Sequence, residues 1–379
     1  MTDCRCNERE EGRDSLPVSS ALTERGSFGP DLRLRPEPFS SGELLTLTSA
    51  LKLGAKIYEP VVRSGLSDRP CAPLMPHAVD LAIQLIGRGA PLHTVIAGLF
   101  YDVEQGAVRG SLEALDATID RKFGAVAPGG KISTFIDGIG ESWASGDSAR
   151  FDRTERLAEQ LITKVDPGKI RLTPYSEADI RLMSRGVWAA HNLFIDAKPR
   201  PWGPAEQLSM FRHAAEVGLL LIGAHQRAEI VTAGLMHDFY EGYVVTPTRG
   251  EIQSYVSDRF GGEIHRLLEA VTEPPKRPNH QNWWDRKLAV IRSLEEHDVG
   301  ANTIVCAAKI STIAEGNKFL HKGGELQRWT SGSWDDNLRV FQTLRDLFEE
   351  KGVPRVLLER FDLELARWRS NAPTPIIGQ

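Results

Sequence analysis

Cysteine is scarce in this chain of 379 residues, which contains only Cys4, Cys6, Cys71 and Cys306. Cys4 and Cys6 form a Cys-X-Cys pair, but no second Cys/His pair follows at the spacing of a zinc finger. A few scattered cysteines are typical of proteins from a reducing compartment. The polar first residues also lack the apolar segment of a secretory signal. These features predict a cytoplasmic protein.

Long apolar runs and an excess of basic residues are also lacking. No apolar run is long enough to cross a bilayer, so no membrane association is expected. The formal net charge is −5, whereas surfaces that bind nucleic acid are usually basic, so nucleic acid is not an expected partner. The phosphate-binding loop, the dinucleotide-binding glycine motif and the nucleophile elbow are missing too. Three common enzyme classes therefore have no support in the sequence.

Apolar residues recur at helical spacing along most of the chain, and alternating strand patterns are scarce. Ser40 and Glu43 have the spacing of a capping box at a helix start. A later helix places one apolar face at Leu338, Phe341, Leu344, Leu347 and Phe348. We predict an all-α fold that follows a flexible tail, residues 1–39, because the tail is rich in Ser, Pro, Gly, Arg and Glu and lacks periodicity.

An internal repeat divides the helical part into two related halves. The segment His77–Asp102 (HAVDLAIQLIGRGAPLHTVIAGLFYD) aligns without a gap with the segment His213–Asp238 (HAAEVGLLLIGAHQRAEIVTAGLMHD), and ten positions are identical, including both ends. Such a match predicts two copies of one helical unit. We place the copies at 40–195 and 205–372, with a linker at 196–204.

Four side chains of the second copy suggest a metal site. We expect residues 228–242 to form one helix, on which His237, Asp238 and Glu241 point toward one side. The stretch from His213 to His237 is long enough for a helical hairpin, which brings its end back to its start. Imidazole and carboxylate together suit a divalent cation, which can make a nucleophile of water near neutral pH, with Glu241 to handle the proton. Alternatively, His237 is a core histidine with an ordinary hydrogen-bond partner.

The pattern of His213, the later pair His237-Asp238 and the following Glu241 resembles the HD superfamily of metal-dependent phosphohydrolases. Within it, the chain is most similar to the hydrolase domain of the Rel/Spo-type guanosine tetraphosphate enzymes, in which the first His and the His-Asp pair have the same spacing. The resemblance implies two tandem HD-domain-like helical units and a divalent ion, manganese, on His213, His237 and Asp238. It also implies that Glu241 is the catalytic acid or base and that the substrate is a nucleotide or another phosphorylated small molecule.

The second copy departs from the family pattern at three positions. The later Asp of the family, its fourth metal ligand, falls on Ala308; its Asn falls on Thr312; and the Asp after the catalytic Glu falls on Gly242. Glu315 is a candidate replacement for the missing ligand. Because of these losses, the alternative hypothesis is a catalytically inactive tandem pseudoenzyme that senses a ligand or binds a partner protein.

The first copy departs further. His77 and Asp102 are retained, but Tyr101 replaces the second His, and Gln105 stands at the position of Glu241. A phenol is a poor ligand for a divalent ion at neutral pH, since its pKa is about 10. We therefore expect the first copy to bind no metal and to serve structural support or ligand sensing.

Overall fold

The protein is described from a computed structural model. The described residues are 38–64, 74–104, 112–126, 132, 147–194, 210–241, 247–273, 283–330 and 332–372. Within these ranges the chain is helical and forms no β-strand, so the predicted all-α class is confirmed. The predicted linker, 196–204, and the predicted tail up to residue 37 lie outside them. Among the described helices, none is long and apolar enough to span a membrane.

The helices of the first half carry the first copy of the repeat in α2 and α3. They are α1 (Ser41–Ser64), α2 (Leu74–Gly87), α3 (Leu92–Glu104), α4 (Leu112–Phe123), α5 (Asp147–Thr163) and α6 (Glu177–Phe194). The helices of the second half carry the second copy in α7 and α8. They are α7 (Met210–Gly223), α8 (Ala228–Leu235), α9 (Arg249–Phe260), α10 (Gly262–Val271), α11 (Trp283–Glu296), α12 (Val299–His321), α13 (Leu326–Trp329), α14 (Trp334–Glu350) and α15 (Arg355–Ser370).

Local signals in the sequence explain where several helices begin and end. The Ser40 hydroxyl accepts from the amide of Glu43, and the Glu43 carboxylate accepts from the amide of Ser40, so α1 starts with the predicted capping box. Phe39, the last residue of the predicted tail, is buried, and its amide donates to the carbonyl of Gly223. After α14, Gly352 adopts a positive φ of 76°, a conformation that glycine enters without a steric penalty.

The two copies of the repeat form helices with matching bounds. The alignment that places His77 on His213 also carries α2 onto α7 from first to last residue, and it carries the start of α3 onto the start of α8. One close contact also repeats at aligned positions. A methyl group on Gly98 would lie within 3.0 Å of Leu85, and one on Gly234 would lie within 3.0 Å of Leu221. The shared hairpin is present in the structure. That the two halves as a whole are tandem HD-like units remains a prediction.

The helices of both halves pack together in one compact unit, to which all described residues belong. Helix α1 packs against α7, and α6 packs against α8, while α12 contacts both α7 and α8. Every residue of α7 is buried, including Arg212, His213 and Glu216. A helix that is enclosed on all sides can carry such groups only if each one is paired, because an unpaired buried charge is strongly unfavourable.

Replacing Gly98 by alanine should destabilise the protein, since the new methyl group overlaps the fully buried Leu85 side chain. Overpacking of this kind costs about 1–3 kcal/mol. The control is Gly250→Ala in α9, where no atom lies within 4 Å of the added methyl group. Urea unfolding would measure both variants. Equal unfolding free energies for Gly98→Ala and Gly250→Ala would show that the hairpin contact is not tight.

Candidate metal centre

The hairpin of α7 and α8 brings the predicted site residues together. His213 lies in the first turn of α7, and His237 and Asp238 lie in residues 236–241, which follow α8. The three side chains are nearly buried, with 6%, 8% and 6% exposure respectively. Their nearest ligand atoms all lie within 4.8 Å of one another, and they form a group that could hold a metal ion. The hairpin therefore assembles all three predicted ligands.

The expectation of one continuous helix through His237 is wrong, because α8 ends at Leu235 and a series of turns follows. The Nδ1 atom of His237 donates to the carbonyl of Gly234 at 2.8 Å. In a continued α-helix this carbonyl would accept from the amide of Asp238, so the imidazole takes the place of that backbone bond. The turn, rather than a helical face, sets the directions of His237, Asp238 and Glu241.

The distances among the ligand atoms fit one ion. The Nε2 atoms of His213 and His237 are 3.1 Å apart, and His237 Nε2 is 3.3 Å from Asp238 Oδ1. An ion about 2.1 Å from each of two ligand atoms holds them roughly 3.0 Å apart at a right angle and roughly 3.4 Å apart at the tetrahedral angle. Both separations fall in this interval, so the three side chains fit one divalent cation.

Hydrogen bonds on the far side of each imidazole orient its Nε2 atom as a ligand. The Gly234 carbonyl can only accept, so His237 carries its proton on Nδ1. The Ser311 hydroxyl donates to Glu216 at 2.9 Å, and it therefore accepts from His213 Nδ1 at 3.0 Å. Both Nε2 atoms then present lone pairs to each other. Two facing lone pairs repel each other, so a cation between them is favourable, and second-sphere bonds of this type are typical of metal-binding histidines.

Glu241 lies beside the ligand group without belonging to it. Its carboxylate accepts from the amide of Glu273 at 2.8 Å. Burial raises the pKa of Glu241 to about 7, and the negative charges of Asp238 and Glu273 act in the same direction, against the Glu273 amide and Lys309. A carboxyl group with this pKa exchanges protons near neutral pH, as a general acid or base requires.

A buried charge network behind His213 was not predicted from the sequence. Lys52 on α1 lies 2.9 Å from Glu216 and 3.3 Å from Glu315, and Arg212 lies 3.2 Å from Glu315. Through Ser311, Glu216 connects this network to His213. The repeat contained the signal, since an acidic residue stands three positions after the first His in both copies. In an apolar helix, such a residue indicates a paired buried charge.

No fourth ligand joins the three within the described part of the chain. Glu315, the candidate replacement, is held by Lys52 and Arg212. Ala308 is buried on α12, three residues before Ser311, so helical spacing places it on the face that carries the His213 contact. That its methyl group points at the ligands remains a prediction. Gly242 lies outside the described residues.

In the first copy, the position of Glu216 is taken by Asp80, which has other partners. Asp80 accepts from the Ser184 hydroxyl and, at 3.0 Å, from Trp188 Nε1. Burial raises the pKa of Asp80 above its usual value, and these bonds oppose the shift. His77 on α2 and Tyr101 on α3 are both buried. Gln105 lies outside the described residues, so the absence of metal in this copy remains a prediction.

Comparisons with known proteins leave the family open. No family model matches the sequence, and no curated protein matches it. Among solved structures, the 1.85 angstrom crystal structure of lmo0812 from Listeria monocytogenes EGD-e is 21% identical and covers 42% of this chain and 97% of that chain, with a TM-score of 0.34. A similarity this low carries no argument about the site.

Replacing Glu241 by glutamine should stabilise the metal-free protein at alkaline pH. The folded state holds a proton on Glu241 up to a pKa of about 7, against the usual 4.5, so the ionised carboxylate destabilises the fold as the pH rises through this window. We expect no difference between variant and wild type at pH 4. At pH 8 the variant should unfold with a free energy higher by about 1–3 kcal/mol.

The control for this prediction is Glu273→Gln. Lys287 and Lys309 overcome the effect of burial and lower the pKa of Glu273, so its ionised form stabilises the fold. This variant should lose stability at pH 8, and urea unfolding in EDTA would measure both. If Glu241→Gln is no more stable than wild type at pH 8, then burial and the neighbouring carboxylates do not raise the pKa of Glu241 as described.

Replacing Ala308 by aspartate should tighten metal binding, because it restores an anionic group at the position of the missing ligand. Changes in groups that only orient ligands shift affinity about 10–100-fold, so a gained ligand should be at least measurable. Ala308→Asn provides a neutral side chain of the same shape as control. Manganese titrations and thermal unfolding would compare the three proteins. Equal affinities in wild type and Ala308→Asp would mean that residue 308 does not face the ligands.

Proposed function

We propose that the protein is a metal-dependent phosphohydrolase that acts on a nucleotide, with guanosine tetraphosphate-like and pentaphosphate-like compounds as the leading substrates. The observation that carries the proposal is the pair of Nε2 atoms of His213 and His237, 3.1 Å apart and both oriented by hydrogen bonds from their Nδ1 atoms. Asp238 adds a negative charge to the pair at 3.3 Å. A buried arrangement of two lone pairs and a carboxylate favours a divalent cation.

In this proposal, His213, His237 and Asp238 hold the ion, and the resemblance to the Rel/Spo-type hydrolases suggests manganese. The bound ion would supply Lewis acidity toward a phosphoryl oxygen and toward water. Three protein ligands are enough for a catalytic site, since such sites commonly keep open positions. The Ser311 and Glu216 side chains keep His213 in the tautomer that presents Nε2 to the ion.

Glu241 is the proposed acid or base of the reaction. Its pKa of about 7 allows it to take a proton from the attacking water and to return one to the leaving group near neutral pH. Lys309 is close enough to lower the pKa of both Glu241 and Glu273, so a cation stands beside this carboxylate. We assign to Lys309 the electrostatic attraction of a phosphate group of the substrate.

The second candidate is a catalytically inactive tandem pseudoenzyme that acts as a ligand-sensing or protein-binding module. Two observations favour it. Ala308 offers no ligand atom where the resembled family has an aspartate, and Glu315 is engaged by Lys52 and Arg212. On this candidate, the His213 and His237 pair would be a structural remnant that shares a proton instead of a metal ion.

Measuring metal content tests whether His213, His237 and Asp238 are metal ligands. His237→Ala removes one of the three ligands and should reduce the affinity for manganese by at least roughly 100-fold, because a three-ligand site that loses one ligand retains little affinity. His77→Ala, at the matching position of the first His in the other copy, should bind manganese as wild type does. Elemental analysis and manganese titration would compare the two. Metal retained in His237→Ala would show that the ligand assignment is wrong.

Activity then separates the enzyme from the pseudoenzyme. The manganese-loaded protein would be incubated with guanosine tetraphosphate and with guanosine triphosphate, and released pyrophosphate and phosphate would be measured. We expect hydrolysis that is lost in Glu241→Gln, while this variant still binds manganese. Metal binding without hydrolysis of either nucleotide would favour the pseudoenzyme.

A further inference from the structure

A second polar site lies between α1, α12 and α15. It is a pocket of about 440 Å³, and Lys52, Lys318, Arg360 and Arg367 contribute to its lining. The described residues that line it include none of the three metal ligands and not Glu241. The pocket is therefore separate from the proposed metal centre, although Lys52 belongs to both surroundings. Its size is that of a small-molecule site, since such sites typically measure about 300–1,000 Å³.

The lining of this pocket is rich in positive charge, although the protein as a whole is negatively charged. The whole chain has a net charge of −5, yet the described residues that line the pocket include four cationic side chains and a single acid, Glu364. Glu364 in the lining, and Glu216 and Glu315 beside Lys52, offset part of this positive charge. Like charges repel most strongly where water is partly excluded, so a bound anion would offset the remainder.

Glu364 organises part of the cluster and neutralises part of its charge. Its carboxylate accepts from Arg360, from Arg367 at 2.8 Å and from the Asn317 amide at 3.0 Å. Burial would raise the pKa of Glu364, but Arg360 and Asn317 outweigh it and lower the pKa, so the group is ionised. One carboxylate compensates one of the two guanidinium groups. Arg367 is 49% exposed and retains N–H groups that are not directed at Glu364.

Lys52 supplies a further donor at the inner side of the pocket. Its ammonium group has three N–H bonds, and the carboxylates of Glu216 and Glu315 account for two contacts. Burial acts to lower the pKa of Lys52, but these two carboxylates outweigh it and the pKa is raised, so the group is cationic. It is 20% exposed. An anion in the pocket would meet a permanently charged donor.

We propose that this pocket binds a small molecule that bears a phosphate group, with Lys52, Lys318 and Arg367 receiving the phosphate. A phosphate dianion matches several cations better than a monocarboxylate does, and arginine binds phosphate oxygens with two N–H groups at once. The volume exceeds that of phosphate alone, which leaves space for an organic part beside Leu45 and Ala314.

Lys52 also gives this pocket a connection to the metal centre. A phosphate near Lys52 competes for its charge with Glu216, whose carboxylate holds Ser311 and, through it, His213. When Lys52 neutralises Glu216 less, Glu216 polarises Ser311 more strongly, and His213 becomes a stronger metal ligand. The greater negative charge on Glu216 also favours a cation nearby. Phosphate binding should therefore tighten metal binding, and the reverse must hold by linkage. The coupling between the two sites rests on the proposed metal site, whereas phosphate binding in the pocket does not.

The binding test uses metal-free protein in EDTA and inorganic phosphate as the probe, with chloride at the same ionic strength as reference. Calorimetric titration should show phosphate binding that weakens about tenfold in Arg367→Gln and in Lys318→Gln, since each variant loses a charged hydrogen-bond donor. Arg369→Gln, an exposed position on the same helix outside the pocket, should bind as wild type does. A phosphorylated sugar should bind more tightly than phosphate itself.

Three results would overturn the phosphate site: no phosphate binding, equal binding in Arg367→Gln and Arg369→Gln, or equal competition by chloride. Sedimentation with phosphatidic-acid vesicles that depends on Arg367, without binding of the sugar phosphate, would overturn the small-molecule ligand in favour of a lipid headgroup.

The connection to the metal centre is tested by manganese titrations of these two variants with and without phosphate. Comparing variants cancels the chelation of manganese by phosphate in solution. Phosphate should tighten manganese binding in Arg369→Gln more than in Arg367→Gln, and equal effects would overturn the connection. Because the first titration contains no metal, failure of the phosphate site and failure of the proposed metal centre give different results.

Discussion

The burial of α7 on all sides is the constraint on which the site depends. This helix places Arg212, His213 and Glu216 where water cannot solvate them, so each needs a partner from a neighbouring helix. Helix α1 provides Lys52, α12 provides Ser311 and Glu315, and the turn after α8 provides His237. The packing of these three elements around α7 therefore also sets the geometry of the candidate metal centre. Loss of one partner would leave a buried polar group unsatisfied.

The same hairpin carries different chemistry in its two copies. Gly98 with Leu85 and Gly234 with Leu221 make the same close helix contact, so the packing that brings the hairpin ends together is common to both. The groups at those ends differ. Tyr101 stands where His237 stands, and a phenol cannot replace an imidazole lone pair at neutral pH. The hairpin packing is therefore shared, whereas the candidate metal ligands of the second copy depend on which side chains stand at the hairpin ends.

Charge is distributed unevenly around α7. On one side, burial and the negative charges of Asp238 and Glu273 raise the pKa of Glu241, and the carboxylates grouped there favour a cation. On another side, Lys52 is held by two carboxylates and faces the pocket between α1, α12 and α15. A chain with a net charge of −5 therefore has both a candidate site for a cation and a proposed site for an anion. The salt-bridged Lys52 stands between them, because it contacts the carboxylates behind His213 and also lines the pocket.

The sequence by itself determined the all-α class, the repeated hairpin and the grouping of His213, His237 and Asp238, because helical periodicity and a gapless repeat are local properties. The capping box at Ser40 and Glu43 is local too. The end of α8 before His237 was not predicted, although the imidazole bond to the Gly234 carbonyl is a local contact. Only the tertiary structure decided that Ser311 on α12 orients His213. It also decided that Glu315 pairs with Lys52 and Arg212 instead of joining the ligands. These partners come from helices far apart in the chain, and no spacing in the sequence encodes which buried charge meets which.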